Sequence, residues 1–134
     1  MASPRRVSVP ATILVVEDHD DSREALAQLI SSLGYHVVLA RNGAEALRFL
    51  PALHPDLILC DLRMPRMDGF EFMAALRHDS KLAKLNVVAV TAFGDAADRR
   101  QTAAAGFVDH VTKPIDYDSM VSALDRLLGP RPRS

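Results

Sequence analysis

Five short apolar runs recur along the chain, and segments of mixed polarity separate them. Three of the runs are almost continuous, with the sequences Ile-Leu-Val-Val, Leu-Ile-Leu-Cys and Val-Val-Ala-Val. Such runs are typical of strands that are buried on both faces, as in a parallel sheet. The predicted strands are Thr12–Val16, His36–Ala40, Asp56–Cys60, Asn86–Val90 and Phe107–Val111.

The segments between the runs have a helical pattern, which is clearest after the first and the last strand. Apolar residues recur there on one helical face, and each set predicts an amphipathic helix packed on a sheet. The two sets are Leu26, Leu29, Ile30 and Leu33, and then Met120, Val121, Leu124, Leu127 and Leu128.

Glycine and aspartate mark the predicted helix ends, because glycine closes helices and aspartate caps their first turn. Gly34 ends the first helix, Gly43 opens the second, Asp68-Gly69 opens the third, Asp95 caps the fourth, Gly106 ends it, and Asp116 or Asp118 caps the fifth. Five βα units in succession predict an α/β domain with a doubly wound parallel sheet and helices on both faces.

Length and composition indicate one domain. The 134 residues divide into a predicted domain at 12–128, a flexible N-terminal tail at 1–11 and a C-terminal tail at 129–134. One cysteine excludes an internal disulfide and fits a reducing, cytoplasmic setting. The net charge of −1, without a basic stripe, argues against a nucleic-acid partner. No apolar run approaches the ~20 residues that a membrane span needs, so no membrane partner is expected.

Distinctive polar residues follow four of the five predicted strands. Glu17 and Asp18 end the first strand, Asp61 ends the third, Thr91 ends the fourth, and Lys113 follows the fifth. Ligands of open α/β sheets bind beyond the carboxyl ends of the strands. We therefore expect these side chains to meet at one edge of the sheet.

Three carboxylates in close quarters repel one another, and a hard divalent cation with oxygen ligands would relieve that repulsion. The adjacent Glu17 and Asp18 suit a metal-binding pair, with Asp61 as a third ligand. The backbone carbonyl of Arg63, in the turn-rich loop that follows, is expected to complete the metal shell. Mg²⁺ is the predicted ion, and Mn²⁺ is the alternative.

Asp61 is the predicted nucleophile, since it stands alone at the end of a strand that is expected to be central. A carboxylate in this position can accept a phosphoryl group and become an aspartyl phosphate. Mg²⁺ and Lys113 would neutralise the outer phosphoryl oxygens, and the Thr91 hydroxyl would donate one hydrogen bond.

These residues resemble the receiver domain of two-component response regulators, in the compact class of the chemotaxis regulator. The resemblance covers roughly residues 12–128, with Thr91 thirty and Lys113 fifty-two residues after Asp61. The matching pieces are Ile-Leu-Val-Val-Glu17-Asp18, Asp56-Leu-Ile-Leu-Cys-Asp61-Leu-Arg-Met-Pro65-Arg-Met-Asp68-Gly69, Val-Val-Ala-Val-Thr91-Ala92 and Lys113-Pro114.

The resemblance implies a flavodoxin-like (βα)5 fold with strand order 2-1-3-4-5. It implies that Asp61 is the phosphoacceptor, that Glu17, Asp18 and Asp61 hold Mg²⁺, that Thr91 is the switch hydroxyl and that Lys113 pairs with the phosphoryl group. The Lys113-Pro114 bond is often cis in this family. The expected donor is a sensor histidine kinase or a histidine phosphotransfer protein. Such a chain is a signalling protein that catalyses only its own phosphorylation and dephosphorylation, not an enzyme with a separate substrate.

His110 departs from the family pattern, because receivers usually have Tyr or Phe three residues before the lysine. Histidine is smaller than these rings and titrates near pH 6.5 in its free form. The departure concerns the form of the switch rather than the phosphorylation. Arg63 and Phe93 occupy positions at which the family tunes dephosphorylation.

The output surface that the resemblance implies comprises the fourth helix, the fifth strand and the fifth helix, and a downstream protein would bind there. The predicted ranges are about Ala96–Ala105, Phe107–Val111 and Tyr117–Leu128. The first helix, with Arg23, Glu24 and Gln28 expected to be exposed, is the predicted docking site of the phosphodonor.

Three other functions compete with this interpretation. A degenerate receiver would bind partners without phosphorylation, and His110 keeps that alternative open. An aspartate-nucleophile phosphatase would carry a second Asp two residues after the nucleophile, where this chain has Arg63. An FMN-binding flavodoxin would need a phosphate loop after the first strand, where Glu17-Asp18-His-Asp-Asp would repel the phosphate.

Overall fold

A computed structural model describes residues 10–92, 94 and 96–129 of the chain. Most of the two predicted tails, the predicted cap Asp95 and the predicted tuning residue Phe93 lie outside the described residues. The elements, in chain order, are β1 (Thr12–Val16), α1 (Asp20–Ser32), β2 (His36–Ala40), α2 (Gly43–Leu53), β3 (Leu57–Asp61), α3 (Gly69–His78), β4 (Val87–Thr91), α4 (Ala96–Ala105), β5 (Asp109–Thr112) and α5 (Tyr117–Leu128).

The five strands form one parallel sheet in the order β2-β1-β3-β4-β5, which confirms the predicted fold class and strand order. Alternate residues of a strand point to opposite faces of the sheet. Ile13 and Val15 of β1 pack with α1 and α5, whereas Leu14 and Val16 pack on the other face with α2 and α3. The sheet is therefore buried on both faces, as its continuous apolar runs predicted.

The predicted bounds of β1 and β2 are confirmed, and β3 and β4 each lie one residue further along the chain. The prediction was wrong for β5, which begins at Asp109 rather than Phe107. Phe107 instead closes α4: its N–H donates to the carbonyl of Thr102 at 3.1 Å, after Gly106 at a φ of 109°. The Phe107 ring enters the core and packs edge-on against Phe70, with 5.9 Å between ring centroids.

Side-chain caps begin α2, α3 and α5. Asn42 accepts a hydrogen bond from the backbone N–H of Glu45, and Asp68 and Glu71 form a reciprocal capping box at α3. Asp116 rather than Asp118 caps α5, since its carboxylate accepts from the N–H of Ser119 at 2.7 Å. Within the described part of the chain, no helix has the length and apolar character to cross a membrane.

The start of α3 lies directly against the end of β3. The N–H of Gly69 donates to the carbonyl of Leu62 at 3.1 Å. A Cβ atom at Gly69 would lie 2.9 Å from the carbonyl oxygen of Asp61 and 2.9 Å from the Cα of Leu62. Only a residue without a side chain allows this approach, which fixes the backbone at the point where Asp61 leaves the sheet.

Candidate functional site

Two adjacent strands bring the predicted carboxylates together. Val16 of β1 lies beside Cys60 of β3, so Glu17 and Asp61 follow at neighbouring strand ends, with Asp18 next along the chain. One carboxylate oxygen from each of these three residues lies within 4.8 Å of the others. Glu17 and Asp61 are buried, and Asp18 is half-buried. The convergence expected from the strand ends is therefore present in the structure.

Lys113 joins this acidic cluster from the segment after β5. Its Nζ lies 3.1 Å from Oε1 of Glu17 and 3.6 Å from Oδ2 of Asp61. Its backbone N–H donates to the carbonyl of Thr91 at 2.7 Å, and the Lys113-Pro114 peptide bond is cis. The other oxygen of Glu17 accepts the N–H of His19 at 3.0 Å. One ammonium thus bridges two carboxylates, and the cluster retains an excess of negative charge.

The pKa of Asp61 is raised from its ordinary value of 3.8 to about 6. Burial is the main cause, because it removes water from the charged form, and the neighbouring Glu17 carboxylate adds repulsion. The Lys113 ammonium and the N–H of Arg63, which lies 3.3 Å from Oδ1, act in the opposite direction. Lys113 and the N–H of Arg63 therefore only partly offset the cost of burying the charged Asp61 carboxylate.

Arg63 contacts Asp61 through its backbone N–H. The metal role predicted for its carbonyl oxygen stays a prediction. An open cavity lies between the segment after β3 and α4, and Arg63, Asp68 and Thr91 are among the residues that line it. Thr91 is buried at the end of β4, beside the Asp61 strand. The structure thus places the predicted switch residue next to the predicted acceptor strand, at the wall of an accessible cavity.

Cys60 lies one residue before Asp61 and is fully buried. Burial raises the pKa of its thiol well above the ordinary value, and the charge of Asp61 acts in the same direction. A thiol that resists ionisation is a poor nucleophile and a poor metal ligand. Cys60 is therefore a small core side chain.

His110 lies on β5 and faces α4. Its Nδ1 is 3.3 Å from Oγ1 of Thr102, a buried residue of α4. The Thr102 hydroxyl also donates to the carbonyl of Arg99 at 3.0 Å. With its proton used in that way, Oγ1 is left to accept a hydrogen bond from Nδ1–H of His110. The switch role of His110 stays a prediction.

The structure corrects the expected exposure of Arg23. Glu24 and Gln28 are exposed on α1 as predicted, but the Arg23 side chain is only 14% exposed. Its guanidinium turns back toward the acidic cluster and donates to the backbone carbonyls of Glu17 and Asp18. Sequence reasoning missed this contact. The available signal was an arginine one turn into a helix that directly follows an acidic pair.

The donor set fits a hard divalent cation. Carboxylate oxygens are the ligands that Mg²⁺ prefers, and three of them converge here from two strand ends. Burial and the Glu17 carboxylate raise the pKa of Asp61, and a bound cation would offset both effects. Glu17, Asp18 and Asp61 could therefore hold such an ion without any rearrangement of the sheet.

Comparison with known proteins gives a consistent result. The family model described as "Response regulator receiver domain" matches residues 13–125. The polar-differentiation response regulator DivK of Brucella anthropi is 32% identical over 121 residues, which are 90% of this chain and 98% of DivK. DivK of Brucella ovis is 32% identical over 118 residues, which are 88% of this chain and 96% of that protein.

Solved structures show the same fold. A putative response regulator from Chloroflexus aurantiacus superposes with a TM-score of 0.84 at 30% identity, over 90% of this chain and 99% of that chain. The receiver domain of the sensor histidine kinase PA1611 of Pseudomonas aeruginosa gives 0.82 at 30% identity, over 91% and 100%. That structure holds a magnesium ion coordinated in its active-site cleft.

Proposed function

The chain belongs to the response regulator receiver domain family, and we propose that it accepts a phosphoryl group on Asp61 and transmits a signal by a change of shape. One observation carries the proposal. Asp61 is a buried carboxylate with a raised pKa, placed between two further carboxylates and the Lys113 ammonium. A group of this kind is suited to take up a phosphoryl group when positive charge is supplied beside it.

Mg²⁺ is the proposed cofactor, with Mn²⁺ as the alternative. Glu17, Asp18 and Asp61, with the carbonyl of Arg63, would hold it. When bound, the ion supplies the positive charge that offsets the outer oxygens of a transferring phosphoryl group. The magnesium ion in the related Pseudomonas receiver domain supports this choice. Because Glu17 and Asp18 would share the binding of the cation with Asp61, Asp61 could keep one oxygen for the phosphoryl group.

The proposed reaction is transfer from a phosphohistidine. An ionised Oδ atom of Asp61 attacks phosphorus, the bond between phosphorus and the donor imidazole nitrogen breaks, and the imidazole leaves. Lys113 neutralises one phosphoryl oxygen, and its 3.6 Å separation from Asp61 leaves it within reach. The Thr91 hydroxyl donates to another oxygen. The donor would be a sensor histidine kinase or a histidine phosphotransfer protein.

The proposed signal leaves through α4, β5 and α5. Lys113 and Thr91 are already joined by a backbone hydrogen bond, so new contacts of either residue with a phosphoryl group would act on both strand ends. Phosphorylation would shift the balance between two arrangements of these elements and change their affinity for a downstream protein. In this scheme the chain acts in the cytoplasm as a signalling protein and has no separate substrate.

The test is the intact mass of the protein after incubation with acetyl phosphate and Mg²⁺. We expect one phosphoryl adduct on the wild type, and none in the presence of EDTA or with Asp61→Asn. Asp20→Asn is the matched control, because Asp20 is an exposed carboxylate at the start of α1 and should leave the adduct unchanged. Equal labelling of Asp61→Asn and wild type would refute the proposal.

An absence of any adduct would favour the degenerate receiver. That alternative rests on His110, which stands where the family usually has Tyr or Phe and contacts α4 through Thr102. A phosphorylation-independent binding module would leave the amide NMR spectrum unchanged when beryllofluoride and Mg²⁺ are added. The proposed receiver would instead show shifts that begin at Asp61 and extend to α4 and β5.

A further inference from the structure

Arg23 lies between the surface of α1 and the acidic cluster. Its Nη1 donates to the backbone carbonyl of Glu17 at 3.1 Å and approaches that of Asp18 at 3.4 Å. Its Nη2 forms an ion pair with the carboxylate of Asp20. With 14% of its side chain exposed, Arg23 is directed inward, whereas Asp20 is 84% exposed.

The backbone that Arg23 holds is the part of the β1–α1 connection that carries two of the cluster's carboxylates. The N–H of Glu17 makes a sheet hydrogen bond to Ala40 at 3.1 Å, and the chain leaves the sheet directly after it. Helix α1 then begins at Asp20, and the N-cap residue before it, His19, provides no side-chain cap. A guanidinium whose Nη1 donates to two successive carbonyls replaces the brace that a cap would give, because the rigid planar group holds that nitrogen in a fixed direction.

We propose that Arg23 is a positioning residue for the divalent-cation site: it holds the Glu17-Asp18 backbone so that both carboxylates point at Asp61. This inference rests on the proposed function, since it concerns the same site. Arg23 acts through carbonyl groups and is not itself a ligand. Residues that orient ligands in this way typically change metal affinity by 10- to 100-fold when they are removed.

Because Arg23 is charged, the direction of the change in Mg²⁺ affinity on its substitution tests the inference. A guanidinium near a cation site repels the cation, so loss of its charge alone would tighten Mg²⁺ binding. Loss of its positioning role would weaken Mg²⁺ binding, because Glu17 and Asp18 would sample other directions. The two effects oppose each other, and a substitution that removes both the fork and the charge shows which one dominates.

The experiment is a calorimetric titration of the full chain with MgCl₂. Arg23→Gln removes the fork and the charge, and Arg23→Lys keeps the charge but loses the fork. Asp20→Asn is the matched control, because it breaks only the exposed ion pair. We expect Mg²⁺ affinity to fall on the order of tenfold for Arg23→Gln. It should fall at least as far for Arg23→Lys, because the retained charge still repels the cation, and it should stay within about twofold for Asp20→Asn.

Thermal unfolding of each variant separates positioning from loss of structure. If Arg23→Gln does not fold, Arg23→Lys carries the comparison. If folded Arg23 variants bind Mg²⁺ as tightly as the wild type or more tightly, the inference is overturned. The proposed function then stays intact. A wild type that does not bind Mg²⁺ would overturn both.

Discussion

The surroundings of Asp61 disfavour the ionised form of its side chain. Burial raises its pKa to about 6, and the Glu17 carboxylate adds to this effect. The nearby Lys113 and the N–H of Arg63 do not fully compensate. Residues at functional sites often accept such a cost, because the same arrangement favours the ligand or transferred group that supplies the missing interaction. The function proposed for Asp61 is therefore linked to a local loss of stability.

Replacement of Asp61 by Asn should stabilise the metal-free protein at neutral pH. The pKa rises on folding, so the folded state binds the proton more tightly. The contribution of Asp61 to stability is therefore fully present below pH 4 and is lost as the pH rises through about 6. We expect the free energy of unfolding of Asp61→Asn to be higher than that of the wild type by on the order of 1–3 kcal/mol at pH 7.5 in EDTA. At pH 4.5 the difference should be much smaller.

Urea unfolding at the two pH values measures this difference. Asp20→Asn provides the control for general charge effects, since Asp20 is exposed. If Asp61→Asn raised the free energy of unfolding equally at both pH values, the raised pKa of Asp61 would not be the cause of the stabilisation.

Helix α4 is held to the domain differently from the other helices. Thr102 is its buried residue, and the remaining sequence is mostly alanine and charged side chains. Polar contacts provide its anchors: Thr102 with His110 of β5, and the Arg77 side chain of α3 with the carbonyl of Ala105. Elements with few buried apolar contacts open at low energetic cost. This property suits α4 to the output role proposed for it.

Helix α3, in contrast, is fixed by a close approach that a single methyl group should disturb. In Gly69→Ala the new Cβ would meet backbone atoms of Asp61 and Leu62 at 2.9 Å. In Gly43→Ala it would meet the Met67 sulfur at 2.8 Å, the flexible part of a side chain. We expect Gly69→Ala to lower the free energy of unfolding by about 1–3 kcal/mol and Gly43→Ala to change it much less.

Urea denaturation of both glycine variants compares the same chemical change at two equally crowded positions. Equal stabilities of the two variants would contradict the view that the backbone at the end of β3 is rigid. The comparison also bears on the site, because the backbone that Gly69 contacts includes the carbonyl of Asp61.

The architecture of the whole molecule was largely predictable because local signals agree with the global fold. Continuous apolar runs identified the strands, and the polar residues after them identified the edge where sheets of this kind bind ligands. Two features escaped for one shared reason: Phe107 and Arg23 use their side chains in ways that sequence position does not reveal. Phe107 is apolar like a strand residue but ends a helix, and Arg23 is charged like a surface residue but turns inward.

The acidic cluster itself followed from the sequence, whereas its electrostatic balance did not. Strand-end reasoning placed Glu17, Asp18 and Asp61 together, since β1 and β3 are neighbours. It could not show that Asp61 is buried, or that the Lys113 ammonium contacts both Glu17 and Asp61. Those quantities depend on contacts between residues almost a hundred positions apart, as for Lys113 and Glu17.

Locating the phosphoryl group on the chain tests whether Asp61 is the phosphoacceptor. Protein treated with acetyl phosphate and Mg²⁺ is reduced with borohydride, which converts an aspartyl phosphate to homoserine, and peptide mass spectrometry then identifies the modified position. If Asp61 is the phosphoacceptor, residue 61 is modified and no other carboxylate is. Modification at Asp18 or Asp68, or a modified position 61 that forms equally well in EDTA, would contradict it.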